Sequence, residues 1–252
     1  MIAKTEALVL RVSPYSHTSH VVTWLTADRG KLATLVKGAC RSKSGFLGQY
    51  DLAYTCELLF YERTRTGLHI ARECTPLKLR QGLRSDWRAC AAASYICDLL
   101  CRIGTPGDPS SALYTLASAT LDVLSGPAGG IKTLLWFELA LLRTIGMAPR
   151  LTRCASCGSA VLPRDVRTFS AHAGGVLCPR CAPADGAAEP ITADIVALMQ
   201  HWERIFSPCQ LSVIGCTTEQ LFALQRHLGV FLMFHIDVAS GSRQIATQIA
   251  AS

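Results

Sequence analysis

Charged residues are scarce in this sequence. Only 17% of its 252 residues are Asp, Glu, Lys or Arg, and 7% are Phe, Trp or Tyr. Half are hydrophobic, so the chain can bury a sizeable core, and disorder over most of the length is not expected. Long apolar runs are also missing. The two most apolar stretches, 89–101 and 228–238, are interrupted by Asp98 and by His235 and Asp237. Both fall short of the ~20 residues a membrane helix needs, and they read as core helices of a cytosolic protein. The first six residues do not lead into an apolar signal core. Catalytic signatures are absent too. There is no Gly-rich nucleotide loop, no His-Glu-x-x-His and no Gly-x-Ser-x-Gly. The seven His are isolated, and carboxylates in the helical part are unpaired, which leaves no two-metal hydrolytic site. His17 and His20 flank Thr18-Ser19 without a carboxylate partner and read as surface residues. The expectation is a protein that is not an enzyme.

The charge that exists is unevenly placed. Residues 1–80 hold 12 of the 25 Lys and Arg but 6 of the 18 Asp and Glu, so nearly all of the +7 net charge lies in the first third. A basic segment joined to a near-neutral one suits a polyanion partner for the former. Cysteine is plentiful at twelve. Eight are scattered among Ala and Leu and behave as small apolar residues. A disulfide framework belongs to short secreted chains, so the compartment reads as reducing.

The order of elements predicts an α+β protein. Residues 5–13, 19–26, 31–37, 52–62 and 68–73 have strand chemistry and are separated by turn residues, with Pro14 breaking the first. Five short strands so close together predict an N-terminal OB-fold β-barrel, with an open sandwich as the alternative. Trp24 reads as core. Helical periodicity follows over 85–103, 110–124 and 131–145, then over 192–206 and 217–235. Residues 150–190 read as irregular and 240–252 as a frayed tail. The expected division is a barrel at 1–80, an all-α domain at 81–150 and 191–252, and an insertion at 151–190.

That insertion carries Cys154-x-x-Cys157 and Cys178-x-x-Cys181. Each pair can occupy a tight knuckle that points two thiolates at one ion, and four sulfurs close a tetrahedral shell around zinc. With no coordination position left open, the zinc would be structural. His172 is an alternative ligand. A redox role for either pair lacks the surrounding βαβ pattern.

In the first third, Lys31, Lys37, Arg41 and Lys43 cluster on a strand and the Gly/Ser loop after it. Arg11, Arg29, Arg63 and Arg65 lie on other strands and turns, and Tyr15 sits in a turn. OB-type grooves hold single strands with cations that track phosphates and rings that stack on bases. An ordinary solvated surface would explain the same residues.

Several motifs together resemble one family. Ala7-Leu-Val-Leu-Arg11, Pro14-Tyr15, Thr18-Ser19, Gly30-Lys31-Leu32 and Lys37-Gly38-Ala39 are similar to the start of the bacterial RecO DNA repair proteins. So is the stretch from Trp136-Phe137-Glu138-Leu139 through Gly146-Met147-Ala148-Pro149 to Cys154-x-x-Cys157-Gly158. Gly174-Gly175-Val176-Leu177-Cys178-x-Arg180-Cys181 completes the pattern, which spans about residues 1–235. The family often has Arg where Cys40 stands and Pro where Ser42 stands. The resemblance implies a recombination mediator that binds single- and double-stranded DNA and anneals complementary strands. It implies work with RecR to load RecA onto DNA coated by single-strand-binding protein, whose acidic-hydrophobic tail is a docking ligand. The DNA surface would then be the barrel, with Lys31, Lys37, Arg41 and Lys43 favoured. The helical domain would offer an apolar groove rimmed by Arg102, Arg143, Arg204 and Arg226. The rivals are a zinc-stabilised interaction scaffold without DNA binding and a zinc-dependent hydrolase.

Overall fold

The structure, a computed structural model, describes residues 1–63, 67–162, 164, 168–237 and 240–251. They form two compact units, Met1–Pro127 and Ala128–Ser252.

The first unit is built on a closed barrel. Strands β1 (Ile2–Ser16), β2 (Ser19–Thr26), β3 (Gly30–Val36), β4 (Thr55–Tyr61) and β5 (Leu68–Lys78) close in the order β1-β2-β3-β5-β4. Only β3 and β5 run parallel, through Ala33–Leu68, Thr34–His69 and Leu35–Ile70. This is the expected OB-type barrel, and closure leaves no sheet edge unpaired. Alternation drives it: along β3, Leu32, Thr34 and Val36 are buried while Lys31, Ala33 and Leu35 are half-exposed. Val9, Val22, Trp24, Leu58 and Phe60 fill the interior. The Trp24 indole N–H donates to the Thr34 hydroxyl at 2.9 Å, which satisfies its one polar atom.

Strand β1 is longer than its sequence suggests. Its first half pairs with β4, from Ile2–Tyr61 to Leu8–Thr55, and its second half with β2, from Ala7–Thr26 to Ser16–Ser19. Pro14 does not break it. A register shift between Pro14 and Ser16 places the proline at an irregularity, where its missing N–H is tolerated.

Helix α1 (Gly82–Ser85) packs on α2 (Trp87–Ile103), and α2 and α3 (Ser111–Leu124) pack onto this barrel within the same unit. Asp86 caps α2 by accepting from the Arg88 N–H at 2.8 Å, and Ser110 caps α3 by accepting from the Leu113 N–H at 3.3 Å. The buried Arg80 fastens the unit. It donates to the Ala53 carbonyl (2.6 Å) and Thr55 hydroxyl (3.0 Å) of the barrel, and to Ser118 Oγ (3.0 Å) and Asp122 (2.7 Å) on α3. Gly30 is required twice over. Its φ is +63°, and a Cβ there would lie 2.1 Å from the Asp108 carbonyl oxygen, so segment 105–108 can lie against the start of β3.

In the second unit, α4 (Ile131–Thr144) is buried from Thr133 to Leu142 on every face, as a central helix must be. Helices α5 (Ala193–Glu203), α6 (Thr218–Ile236) and α7 (Ser240–Ala251) pack against it. Thr217 opens α6 with a reciprocal capping box to Gln220. Two expectations change here. Residues 150–190 are not wholly irregular: β6 (Thr168–Ser170), β7 (Gly175–Leu177) and β8 (Glu189–Pro190) form a small sheet in the order β7-β6-β8. The tail is helical because Arg243 of α7 forms a bidentate pair with the fully buried Glu138 of α4, at 2.7 and 2.8 Å. Ala246 and Thr247 are buried beside it. One charged residue in a polar sequence holds that helix, and hydrophobic periodicity does not reveal it.

Candidate nucleic-acid interface and metal centre

The barrel separates the expected DNA-contacting residues into two groups. The first lies where the β1–β2 hairpin turns and β3 ends. Gly38 N–H donates to Ser19 Oγ at 3.2 Å and Cys40 N–H to the Thr18 carbonyl at 3.1 Å, which pins the start of the loop after β3 to that hairpin. Lys37, Arg41 and Lys43 are exposed there, and none has an acidic partner among the described residues. Tyr15, on the hairpin, is 61% exposed. These four residues share one end of the barrel.

The second group lines a cleft of about 660 Å³ on the barrel wall, at the opposite end of β3. Arg11, Arg29 and Lys31 supply its cations, Phe60 and His69 its rings, and Asp28 and Glu62 its acids. Lys37, just past the end of β3, lies six residue steps from Lys31, about 20 Å of extended chain. The cleft cations are engaged within the protein. Arg11 pairs with Asp98 of α2 at 2.9 Å, Lys31 donates to the Cys101 carbonyl at 2.6 Å, and Arg29 pairs with Glu62 at 3.2 Å. His69 is lowered from its ordinary value by burial, and its Nδ1 accepts from the Arg63 N–H at 3.0 Å. Arg63 is itself exposed beside the cleft. Arg65 lies outside the described residues. The sequence treats all these cations alike, whereas the fold divides them into unpaired loop cations and paired cleft cations. Phe60 and His69 were not anticipated. Their only signal was alternation on two strands whose pairing the sequence does not reveal.

His20 is not a plain surface residue. It is half-buried, with Nδ1 2.8 Å from the Tyr50 hydroxyl and Nε2 3.2 Å from Cys40 Sγ.

In the second unit, the sulfurs of Cys154, Cys157, Cys178 and Cys181 all lie within 4.8 Å of one another, the one group of potential metal ligands found among the described residues. Two local devices position them. The Cys154–Cys157 turn closes through Gly158 N–H to the Cys154 carbonyl at 2.9 Å, with Gly158 at φ +75°. The second knuckle closes through Cys181 N–H to the Cys178 carbonyl at 3.0 Å. Gly175 lets the strand leading into that knuckle approach residue 150: a Cβ there would lie 2.2 Å from the Arg150 carbonyl oxygen. The donor set suits a soft cation. Burial raises Cys154, but the backbone amides of Cys157, Cys178 and Ser156 outweigh it and lower the thiol. The Ser159 hydroxyl, with further donors, brings Cys157 down to about 6. Ser156 acts to lower Cys181, yet its three sulfur neighbours together push it up to about 11. Thiols this close oppose one another's ionisation, and a bound divalent cation removes that opposition. His172 stays outside the cluster, exposed and packed on the Phe234 ring at 5.4 Å.

The four arginines expected to rim one groove are distributed over both units. Arg102 belongs to the first unit and pairs with Asp98 at 3.1 Å. Arg143 donates to the Glu203 and Ile205 carbonyls. Arg226 alone of the four lines a groove of about 390 Å³ between α6 and α7, with Phe222, Val230 and Met233. Among the described residues, no helix is long and apolar enough to cross a membrane.

Comparison with known proteins agrees with this architecture. A family model described as Recombination protein O N terminal matches residues 1–80, and one described as Recombination protein O C terminal matches residues 84–244. Among curated relatives, the DNA repair protein RecO of Rhodopirellula baltica is 32% identical over 179 residues, which cover 71% of this chain and 66% of that protein. The DNA repair protein RecO of Anaeromyxobacter dehalogenans is 34% identical over 197 residues, 78% of this chain and 77% of its own. That of Alkaliphilus metalliredigens is 30% identical over 253 residues, 99% of this chain and all of its own. With both halves matched in order and one relative aligned from end to end, the chain belongs to the RecO family of DNA repair proteins.

Proposed function

We propose that this protein is a recombination mediator and not an enzyme: it binds single- and double-stranded DNA, anneals complementary strands, and helps RecR load RecA onto DNA coated by single-strand-binding protein. The observation that carries the reading is the exposed set Lys37, Arg41 and Lys43, which has no acidic partner among the described residues and shares one end of the barrel with the exposed ring of Tyr15. Unpaired cations on a pinned loop can neutralise phosphates without first breaking an internal ion pair, and a neighbouring ring can stack on a base. Neutralising phosphates on two strands lowers their mutual repulsion and favours annealing. Arg11 and Lys31, already engaged, would shape the cleft and act as secondary contacts with the exposed Arg63, and Arg65 stays an expected phosphate contact outside the described residues.

We assign zinc to the four sulfurs, where it supplies a structural cross-link. Four sulfur ligands leave no open coordination position, so the hydrolase alternative finds no support. The groove between α6 and α7 supports a docking place for the acidic-hydrophobic tail of single-strand-binding protein, with apolar walls and Arg226 at the rim. The same groove would serve a pure interaction scaffold. The protein would act in the cytoplasm, at the nucleoid. Anisotropy of a labelled single-stranded oligonucleotide, titrated at several salt concentrations, tests the reading. Affinity should fall steeply as salt rises. Absence of binding, or binding indifferent to salt, would leave only the scaffold.

A further inference from the structure

We infer that Cys40 is a thiol–disulfide exchange site activated by His20, and that a mixed disulfide there switches the charge of the loop after β3. Four exposed cysteines occur among the described residues: Cys40, Cys90, Cys157 and Cys209. Cys157 belongs to the metal cluster. Among Cys40, Cys90 and Cys209, only Cys40 has an imidazole within hydrogen-bond reach, with its Sγ 3.2 Å from His20 Nε2. The ring is oriented by a third group: its Nδ1 lies 2.8 Å from the Tyr50 hydroxyl, and the two rings meet edge to face at 6.1 Å. A nucleophile, a base and a residue that orients the base form the arrangement that activates thiols in general. Burial, with the neighbouring thiols Cys40 and Cys74 adding to it, pushes the Tyr50 hydroxyl up to about 12, so it stays a neutral phenol and cannot compete as the base. In the tautomer whose Nδ1–H donates to Tyr50, the lone pair of Nε2 faces the thiol. The backbone holds this register, because Cys40 N–H donates to the Thr18 carbonyl at 3.1 Å, two residues from His20.

The surroundings select the reagent. Lys37, Arg41 and Lys43 are exposed on the same loop without acidic partners among the described residues, and such an electropositive, open setting draws anionic disulfides. The fitting class is a small disulfide bearing carboxylates. The Cys40 S–H proton passes to His20 Nε2, and the Cys40 sulfur attacks one sulfur of the disulfide. A new S–S bond forms as the old one breaks, and the departing thiolate takes the proton back from His20. Cys40 is oxidised and the reagent's second half is reduced, so electrons balance. Excess thiol reverses the step. The adduct adds carboxylate charge among the cations proposed to meet phosphate. That consequence, unlike the exchange itself, rests on the DNA-binding reading.

The test treats the full-length, metal-loaded protein with oxidised glutathione and maps adducts by peptide mass spectrometry over time. Cys90 and Cys209 on the same molecule are the references. Cys40 should react about tenfold faster than either, and His20→Gln should bring it down to their rate while leaving theirs unchanged. Buried Cys97 should stay unmodified in the variant, which certifies the fold. If Cys40 reacts no faster than the references, or His20→Gln leaves its rate untouched, the exchange site is refuted. If Cys97 becomes modified in His20→Gln, the milder Tyr50→Phe takes its place and must slow Cys40 alone. The charge switch is read separately, by oligonucleotide affinity of the adduct and of Cys40→Ser given the same treatment. The adduct should bind at least severalfold more weakly, while Cys40→Ser is unaffected. An adduct formed at the expected rate that binds DNA unchanged overturns the switch and counts against the loop as a DNA contact, yet leaves the exchange chemistry standing.

Discussion

Replacing Lys37, Arg41 and Lys43 together by Ala gives the sharpest test of the proposed interface. All three are exposed and none has an acidic partner among the described residues, so the triple variant should keep the wild-type unfolding free energy to within about 0.5 kcal/mol. Each phosphate neutralised on a single strand contributes about 0.7 to the slope of log affinity against log salt. Three lost contacts therefore make the slope shallower by about 2. Between 50 and 200 mM salt, a fourfold rise, the wild type should lose about 20-fold more affinity than the variant. Fluorescence anisotropy at four or five salt concentrations reads this directly, on at least two unrelated oligonucleotide sequences. The loss should be alike on both, since phosphate contacts carry no sequence information. An unchanged slope would refute the assignment, as would a loss confined to one sequence. Arg11→Ala is the contrast. It removes one of the two arginines paired with Asp98, an exposed pair worth about 0.2–1 kcal/mol, and should change the slope by less than one phosphate equivalent.

Further outcomes follow from the second unit. Cys154→Ser should abolish stoichiometric zinc binding and leave 151–190 open to protease, while oligonucleotide affinity of the first unit persists; elemental analysis and limited proteolysis would show both, and retained zinc would contradict the cluster. Arg243→Ala removes the bidentate partner of the buried Glu138 and should destabilise the protein by about 3–5 kcal/mol, whereas pairing Glu138→Leu with Arg243→Met should recover most of that in a urea melt. Burial, with the adjacent Arg226 charge adding to it, lowers His227 below the ordinary value of 6.5, so the unfolded chain binds its proton more readily. Stability is thus intact above about pH 6.5 and lost as pH falls toward the lowered value, and His227→Phe should remove that part of the decline in urea midpoints measured from pH 7 to 5.

Local chemistry made much of this fold legible. The β-branched residues of 19–26 and the alternation of 31–37 place β2 and β3 within a residue of their observed ends, and the spacing of four cysteines predicts a cluster whose sulfurs do come together. What stayed hidden depends on long-range partners. Nothing near Arg80 announces that its guanidinium joins residues 27 and 42 positions away, and nothing near Arg11 announces Asp98. The cleft needed the parallel pairing of β3 with β5 to bring His69 beside Thr34, a contact between strands far apart in sequence. His20 looked solvent-facing because its partners, Cys40 and Tyr50, lie 20 and 30 residues downstream.

Arg80 has a practical bearing on how this protein should be dissected. A fragment ending at residue 80, the limit of the N-terminal family match, keeps the guanidinium but discards Ser118 and Asp122, two of the groups that neutralise and orient it. It also uncovers the barrel wall where Tyr114 donates to Glu6 and where Cys97 meets the Val9 carbonyl. Such a piece should aggregate or melt early. A cut placed after Pro127 retains every one of those partners and should yield a barrel fit for quantitative DNA titration.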